Sequence, residues 1–205
     1  MSFTIIIIAI TVLVSIIAFS NAELLEKLIF YPARMHSPAE YYRFITSGLI
    51  HADFIHLFFN MYVLYIFGNQ VEYVYTAYIG KPFLFPVMYI FALIAAGLPS
   101  FAKHRNNYYY RALGASGAVA AVLFSYVYYA PWAVLYLFGI IPVPAVIGAV
   151  AYLVYSAYAA KKGNDNIGHD AHFYGAIFGF LFTLIFDPTH GQIFFQQLLR
   201  PSFNF

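Results

Sequence analysis

Gly114-Ala115-Ser116-Gly117-Ala118-Val119-Ala120-Ala121-Val122-Leu123-Phe124 carries a polar loop into an apolar run that continues to Ala130, where Pro131 follows. A serine between small residues at the mouth of a hydrophobic helix is easily exposed and hard to explain as packing. The run is not alone. Five other apolar stretches flank it, and their lengths, order and end residues decide the architecture.

The composition sets the solvent. Of 205 residues 63% are hydrophobic and 9% charged, against about 25% charged in a soluble domain, which points to a chain that crosses a membrane several times. Twenty tyrosines suit two membrane interfaces, where amphipathic rings collect. With no cysteine there is no disulfide scaffold, thiolate zinc site or cysteine nucleophile. A formal charge of +2, scattered along the chain, leaves no nucleic-acid footprint.

A bilayer core of about 30 Å needs roughly 20 apolar residues in a helix. Six spans are expected, at about Phe3–Ser20, Phe54–Tyr75, Phe83–Phe101, Ser116–Ala130, Ile141–Ala160 and Ala171–Phe186, and together they form one domain over residues 1–205. Pro82, Pro131, Pro142 and Pro188 punctuate them. The first span resembles a signal peptide because Ser20-Asn21-Ala22 follows it, but no basic residue precedes it, so it reads as a retained span. Ala22–Phe30 reads as a short amphipathic helix in a long first connection, and residues 131–140 as an interfacial stretch near Trp132. The segment after Pro188, with Ile193, Phe194, Leu198 and Leu199, suits a helix lying on the membrane surface.

Alternating spans bring the N-terminal ends of the second, fourth and sixth to one side. Those ends hold His51, His56 and Asn60, then Ser116, then His169, Asp170 and His172. From Ser116 to Ala130 a helix rises only about 21 Å at about 1.5 Å per residue, so the serine lies below one membrane surface. Polar residues at that depth are costly and read first as functional.

Ser116 needs a base, and histidine is the usual one at neutral pH. His172 opens the sixth span, and Gly175 and Gly179 continue its face as a Gly-x-x-x-Gly surface that lets another helix approach. Gly117, Ala120 and Ala121 answer from the fourth span. His56 and Asn60, four apart, present donors on one face, and the Ser116 N–H lies in the first turn of its helix. Plain helix packing is the alternative for the glycines, and an inter-helix hydrogen bond for His56 and Asn60. A metal site at His169, Asp170 and His172 lacks a further ligand, with Asp170 reading as a helix cap and His169 as preceding loop. Arg43 and Glu72 read by default as interface anchors. Lys161 to Gly168 reads as a solvated loop that could close over the serine.

Taken together these residues resemble the rhomboid family of intramembrane serine proteases. The likeness rests on Tyr42-Arg43, His51-x4-His56-x3-Asn60, Gly114-x-Ser116-Gly117 and His172-x-x-Gly175-x-x-x-Gly179, in family order. It implies an all-α, six-transmembrane-helix bundle and a Ser116–His172 dyad without a carboxylate. It implies oxyanion donors from His56, Asn60 and the Ser116 backbone, with His51, Arg43, Gly114, Gly117, Gly175 and Gly179 in support. The implied substrates are single-span membrane proteins in the lipid bilayer, with no cofactor, metal or nucleic acid. Many relatives carry an aromatic ring four residues after the serine to stack on the histidine; here that position is Ala120, so either another ring, Tyr174 or a residue of the fifth span, orients His172 or the histidine is held less firmly. Tyr42 stands where tryptophan is usual.

The resemblance also implies a multi-pass protein of the cell (inner) membrane whose active site opens to the non-cytoplasmic side. Only Lys81 and Arg200 then face the cytoplasm, with the other eight basic residues outside, the reverse of the positive-inside rule. The family topology is followed because several of those eight belong to loops shaped by the active site. Two rival functions fit the composition: a catalytically silent relative that binds membrane clients, and a small transporter. The first would typically lack the serine or histidine, and the second would need polar residues at several depths.

Overall fold

The computed structural model describes residues 2–137, 140–162 and 168–201. The main helices are α1 (Phe3–Ser20), α2 (Ala22–Leu28), α3 (Arg43–Thr46), α4 (Phe54–Tyr73), α5 (Leu84–His104), α6 (Ser116–Tyr129), α7 (Ala145–Lys162), α8 (His169–Phe186) and α9 (Pro188–Leu199). A π-helical turn, Val74–Tyr78, extends α4.

Helix α6 is the axis of the bundle. Ten of its fourteen residues are buried, and the central core gathers Leu57, Met61 and Leu64 of α4, Phe85 and Met88 of α5, Ala118, Ala121 and Val122 of α6, and Phe182 of α8 around it. Contacts between helices fix their directions. Gly175 backs onto Gly117, Gly179 onto Ala121, and Thr183 onto Ser125, so α6 and α8 run parallel. Gly114 lies against His56, and Phe67 against Tyr126, so α4 runs with them. Ser15 meets His51 while Thr4 meets Glu72, which turns α1 the other way. Gly48 lies under Leu93 and Tyr75 meets Met88, which reverses α5. Tyr155 packs on His169 and Tyr152 on His172, which reverses α7. The starts of α4, α6 and α8 therefore share one end of the bundle.

Among the described residues two helices, Phe3–Ser20 and Leu84–His104, are long and apolar enough to cross a membrane by themselves. The α4 and α8 segments qualify together with bent partners, at 87° and 117°, and α6 and α7 are shorter apolar helices. The outer faces of α1, α4 and α7 turn large apolar side chains outward, among them Leu13, Phe58, Tyr62 and Val154, each more than half exposed, as contact with lipid favours. The fold is thus a helical membrane bundle.

Several boundaries differ from the sequence reading. The stretch expected to begin the fifth span at Ile141 instead forms β2 (Ile141–Pro144), paired antiparallel with β1 (Val134–Leu137). Pro142 and Pro144 have no N–H to donate to a helix, so α7 starts at Ala145. Helix α5 runs through Pro99 to His104 rather than stopping near Phe101. The segment after Pro188 forms the helix α9, held by Trp132 Nε1–H donating to the Gln197 carbonyl at 2.8 Å.

Glu72 is not an interface anchor. Only 9% exposed, it accepts hydrogen bonds from Ser2 Oγ (2.6 Å), the Phe3 and Thr4 N–H groups (2.6 and 2.9 Å) and Thr4 Oγ1 (2.7 Å). Those N–H groups have no partner inside α1, and a carboxylate at the positive end of the helix dipole satisfies them. The second clasp at that end is a buried hydroxyl cluster of Tyr75, Ser125 and Thr183, with contacts of 2.7 to 3.0 Å joining α4, α6 and α8.

Candidate active site

Ser116 opens α6 and His172 lies in the first turn of α8, and the Ser116 hydroxyl meets His172 Nε2 at 2.7 Å. The glycines explain how two helices come so close. A Cβ at Gly175 would sit 2.1 Å from the Gly117 carbonyl oxygen, and one at Gly179 would sit 2.0 Å from that of Ala121. Any side chain at either position would push the helices apart. Gly117 is equally confined, since its Cβ would fall 2.6 Å from that of Ala96.

The loop entering α6 is shaped to present the serine. Gly114 has φ +113, a conformation side chains rarely adopt, and its open flank receives the His56 ring, whose Cε1 a Cβ would meet at 2.7 Å. His51 holds the next residue, with Nε2 accepting from the Ala115 N–H at 3.3 Å. That amide can only donate, so the neutral ring carries its proton on Nδ1, which donates to Ser15 Oγ at 3.0 Å. Ser15 in turn donates to the Leu49 carbonyl at 2.9 Å. His51 is fully buried in the connector ahead of α4, and burial, aided by nearby His56 and opposed by Asp53, pushes its pKa down to about 4. It supports the loop and does not line the cleft.

His56 and Asn60 sit on one face of α4, which Asp53 caps by accepting from the His56 N–H at 2.7 Å. The Asn60 amide donates to the His56 carbonyl at 2.9 Å, and among the described residues its second N–H has no acceptor. Both side chains, with Gly114, Ser116 and His172, line a cavity of about 840 Å³. Phe30, Phe44 and Leu93 make part of its wall apolar, and its volume is that of an ordinary ligand site.

Arg43 lies outside the cleft. It is buried, pairs with Glu40 at 2.6 Å, and donates to the Glu26 and Ile29 carbonyls at 2.9 Å each, which folds the first connection. Phe30 of that connection exchanges backbone hydrogen bonds with Ala112, tying it to the loop before Ser116. Asp170 is not the helix cap expected from sequence. Gly168 takes that place, His169 begins α8, and the Asp170 carboxylate instead pairs with Lys103 of α5 at 3.3 Å. Among the described residues no three His, Cys, Asp or Glu side chains gather as a metal site. The expected lid falls largely on residues 163–167, outside those described.

The ring facing His172 is Tyr152 of α7, stacked with centroids 5.9 Å apart and planes at 27°. Tyr174 is 43% exposed and packs on Phe173.

A helical membrane bundle with a serine and a histidine in contact at the starts of two parallel helices defines a narrow class. The family model described as the Rhomboid domain matches residues 38–188, and the chain belongs to the rhomboid family. It is similar to "RHOMBOID-like protein 12, mitochondrial" of Arabidopsis thaliana, with 33% identity over 142 residues. That match covers 64% of this chain and 42% of the relative, so the chain spans less than half the relative's length.

Proposed function

We propose that the protein is an intramembrane serine endopeptidase that cuts single-span membrane proteins within or beside their transmembrane helix. The observation that carries this reading is the 2.7 Å contact of the Ser116 hydroxyl with His172 Nε2 at the edge of a cavity open to one end of the bundle. We take α1, α4, α5, α6, α7 and α8 as six spans, which their alternating directions support.

In this reading Ser116 Oγ attacks the scissile carbonyl carbon while its proton passes to His172 Nε2. The carbonyl oxygen becomes an oxyanion and receives hydrogen bonds from the Ser116 N–H, the free Asn60 N–H and the His56 ring. Collapse breaks the C–N bond, and His172 returns the proton to the leaving amine. Water then attacks the Ser116 ester with His172 as base, releasing the new carboxyl end and restoring the hydroxyl. The apolar wall of the cavity suits a peptide that arrives from lipid.

The test is cleavage of a panel of single-span substrates by the purified chain in liposomes, with the cut sites mapped by mass spectrometry. Wild-type protein is expected to cut and Ser116→Ala to be inactive while still folded. Cleavage that survives in Ser116→Ala would refute the proposal, and a wild-type chain that binds the panel without cutting would favour the client-binding alternative.

A further inference from the structure

The His172 ring is held in an unusual way. Its Nε2 meets Ser116, but among the described residues no side chain or carbonyl accepts a hydrogen bond from Nδ1. One hydrogen bond leaves a ring free to tilt, so its orientation must come from the walls around it. Helix α6 gives it no ring, because the residue one turn beyond Ser116 is Ala120, and α8 adds only the buried edge of His169 at 6.0 Å and 89°. The broad face comes from α7, where Tyr152 lies nearly parallel to the imidazole. Tyr155, one turn further along α7, meets the edge of His169 at 5.5 Å and 87°. Tyr152 and Tyr155, the tyrosines that pack on His172 and His169 among the described residues, therefore hang from one helix.

From this geometry we infer that Tyr152 is a positioning residue, holding the His172 ring in line with Ser116, so that the base is competent only while α7 is seated. The inference rests on the proposed protease reading and extends it to a residue with no reacting group. Tyr152 can hold that place because Phe124 of α6 backs it at 6.4 Å, in a small cluster with Ala120, Ala145, Ala149 and Ala176. The contribution is the flat face of the ring, and the phenol oxygen plays no part in it. A change that keeps the ring should be tolerated, whereas one that keeps the bulk but loses the face should not.

The experiment compares Tyr152→Phe and Tyr152→Leu with wild type and Ser116→Ala, all as full chains in liposomes. Three readouts are taken: kcat and KM for a single-span substrate, the rate of Ser116 phosphonylation by a fluorophosphonate, and the His172 ring-proton shifts in histidine-labelled protein. Tyr152→Phe should stay within about twofold of wild type. Tyr152→Leu should lose at least roughly tenfold in kcat and in phosphonylation rate with KM little changed, because misalignment near 1 Å is costly for an oriented pair. Its His172 resonances should move downfield as the ring current is lost. Equal activity in the two variants, or a loss confined to KM, would overturn the inference while the protease reading stands. If wild type neither cuts nor labels, the protease reading fails first, and unchanged His172 shifts in Tyr152→Leu would then overturn the positioning role independently.

Discussion

Gly175→Ala is the most informative single perturbation of the bundle. In the interior of a helix this change normally stabilises, since alanine is favoured over glycine by about 0.5–1 kcal/mol. Here the new Cβ would lie 2.1 Å from the Gly117 carbonyl oxygen, about 0.9 Å inside the 3.0 Å limit that real Cβ contacts respect. The obstacle is backbone, so α6 and α8 must separate by about that amount one turn from His172. Overpacking of this kind costs roughly 1–3 kcal/mol, which outweighs the helical gain and reverses the sign of the expected effect. It also lengthens the 2.7 Å contact of Ser116 with His172 beyond hydrogen-bonding range. A shift near 1 Å in a reacting pair can cost about 10²-fold in rate. Gly148→Ala in α7 is the matched control, because its Cβ meets only Val143 Cγ1 at an ordinary 3.5 Å. Thermal unfolding and fluorophosphonate labelling of Ser116 would be measured for both. Gly175→Ala should melt lower and label about 100-fold more slowly, with Gly148→Ala near wild type. A Gly175→Ala protein that melts at or above wild type and labels within threefold would refute the close-approach argument.

Two further outcomes are expected. His51 has a pKa pushed down to about 4 in the folded chain against 6.5 when unfolded, so between those values the unfolded state takes up a proton that the folded state does not. Stability should be intact above pH 6.5 and fall towards pH 4 by up to about 3 kcal/mol, at about 1.36 kcal/mol per pKa unit. His51→Asn should flatten that slope in chemical denaturation at pH 4 to 7, and an equal slope in wild type and variant would exclude His51 as its source. Since the chain has no cysteine, single cysteines can report sidedness. Tyr109→Cys at the Ser116 end, where the tyrosine is 98% exposed, and Thr189→Cys beyond α8 should react with an impermeant maleimide from opposite faces of a sealed vesicle. Labelling of both from one face would contradict the six-span arrangement.

Much of the fold was legible because the bilayer imposes a length and a punctuation on each span. Phe3–Ser20 and the start of α4 at Phe54 follow directly from where apolar runs meet polar residues. The juxtaposition of Ser116 with His172 was legible for a related reason: glycines at fixed spacing mark a face where another backbone can approach. The β hairpin was not, because Val134–Pro144 is as apolar as a span and only the prolines hint at a break. The role of Glu72 depends on contacts with Ser2, Phe3 and Thr4, about 70 residues away, which no local pattern encodes. Asp170 is not the cap because α8 already starts at His169 with Gly168 before it, which leaves the carboxylate inside the first turn, where it reaches Lys103 of α5. Tyr152 is not legible as the ring on His172: sequence leaves Tyr174, a residue of the fifth span or no ring at all, and helix rotation decides which residue of α7 faces the imidazole.

Whether His172 activates Ser116 is decided by peptide mapping of fluorophosphonate-treated protein. A phosphonyl adduct is expected on Ser116 in wild type, with its near-complete loss in His172→Ala under the same conditions. An adduct that forms at the wild-type rate without the imidazole, or none on Ser116 in a folded wild-type chain, would contradict that activation.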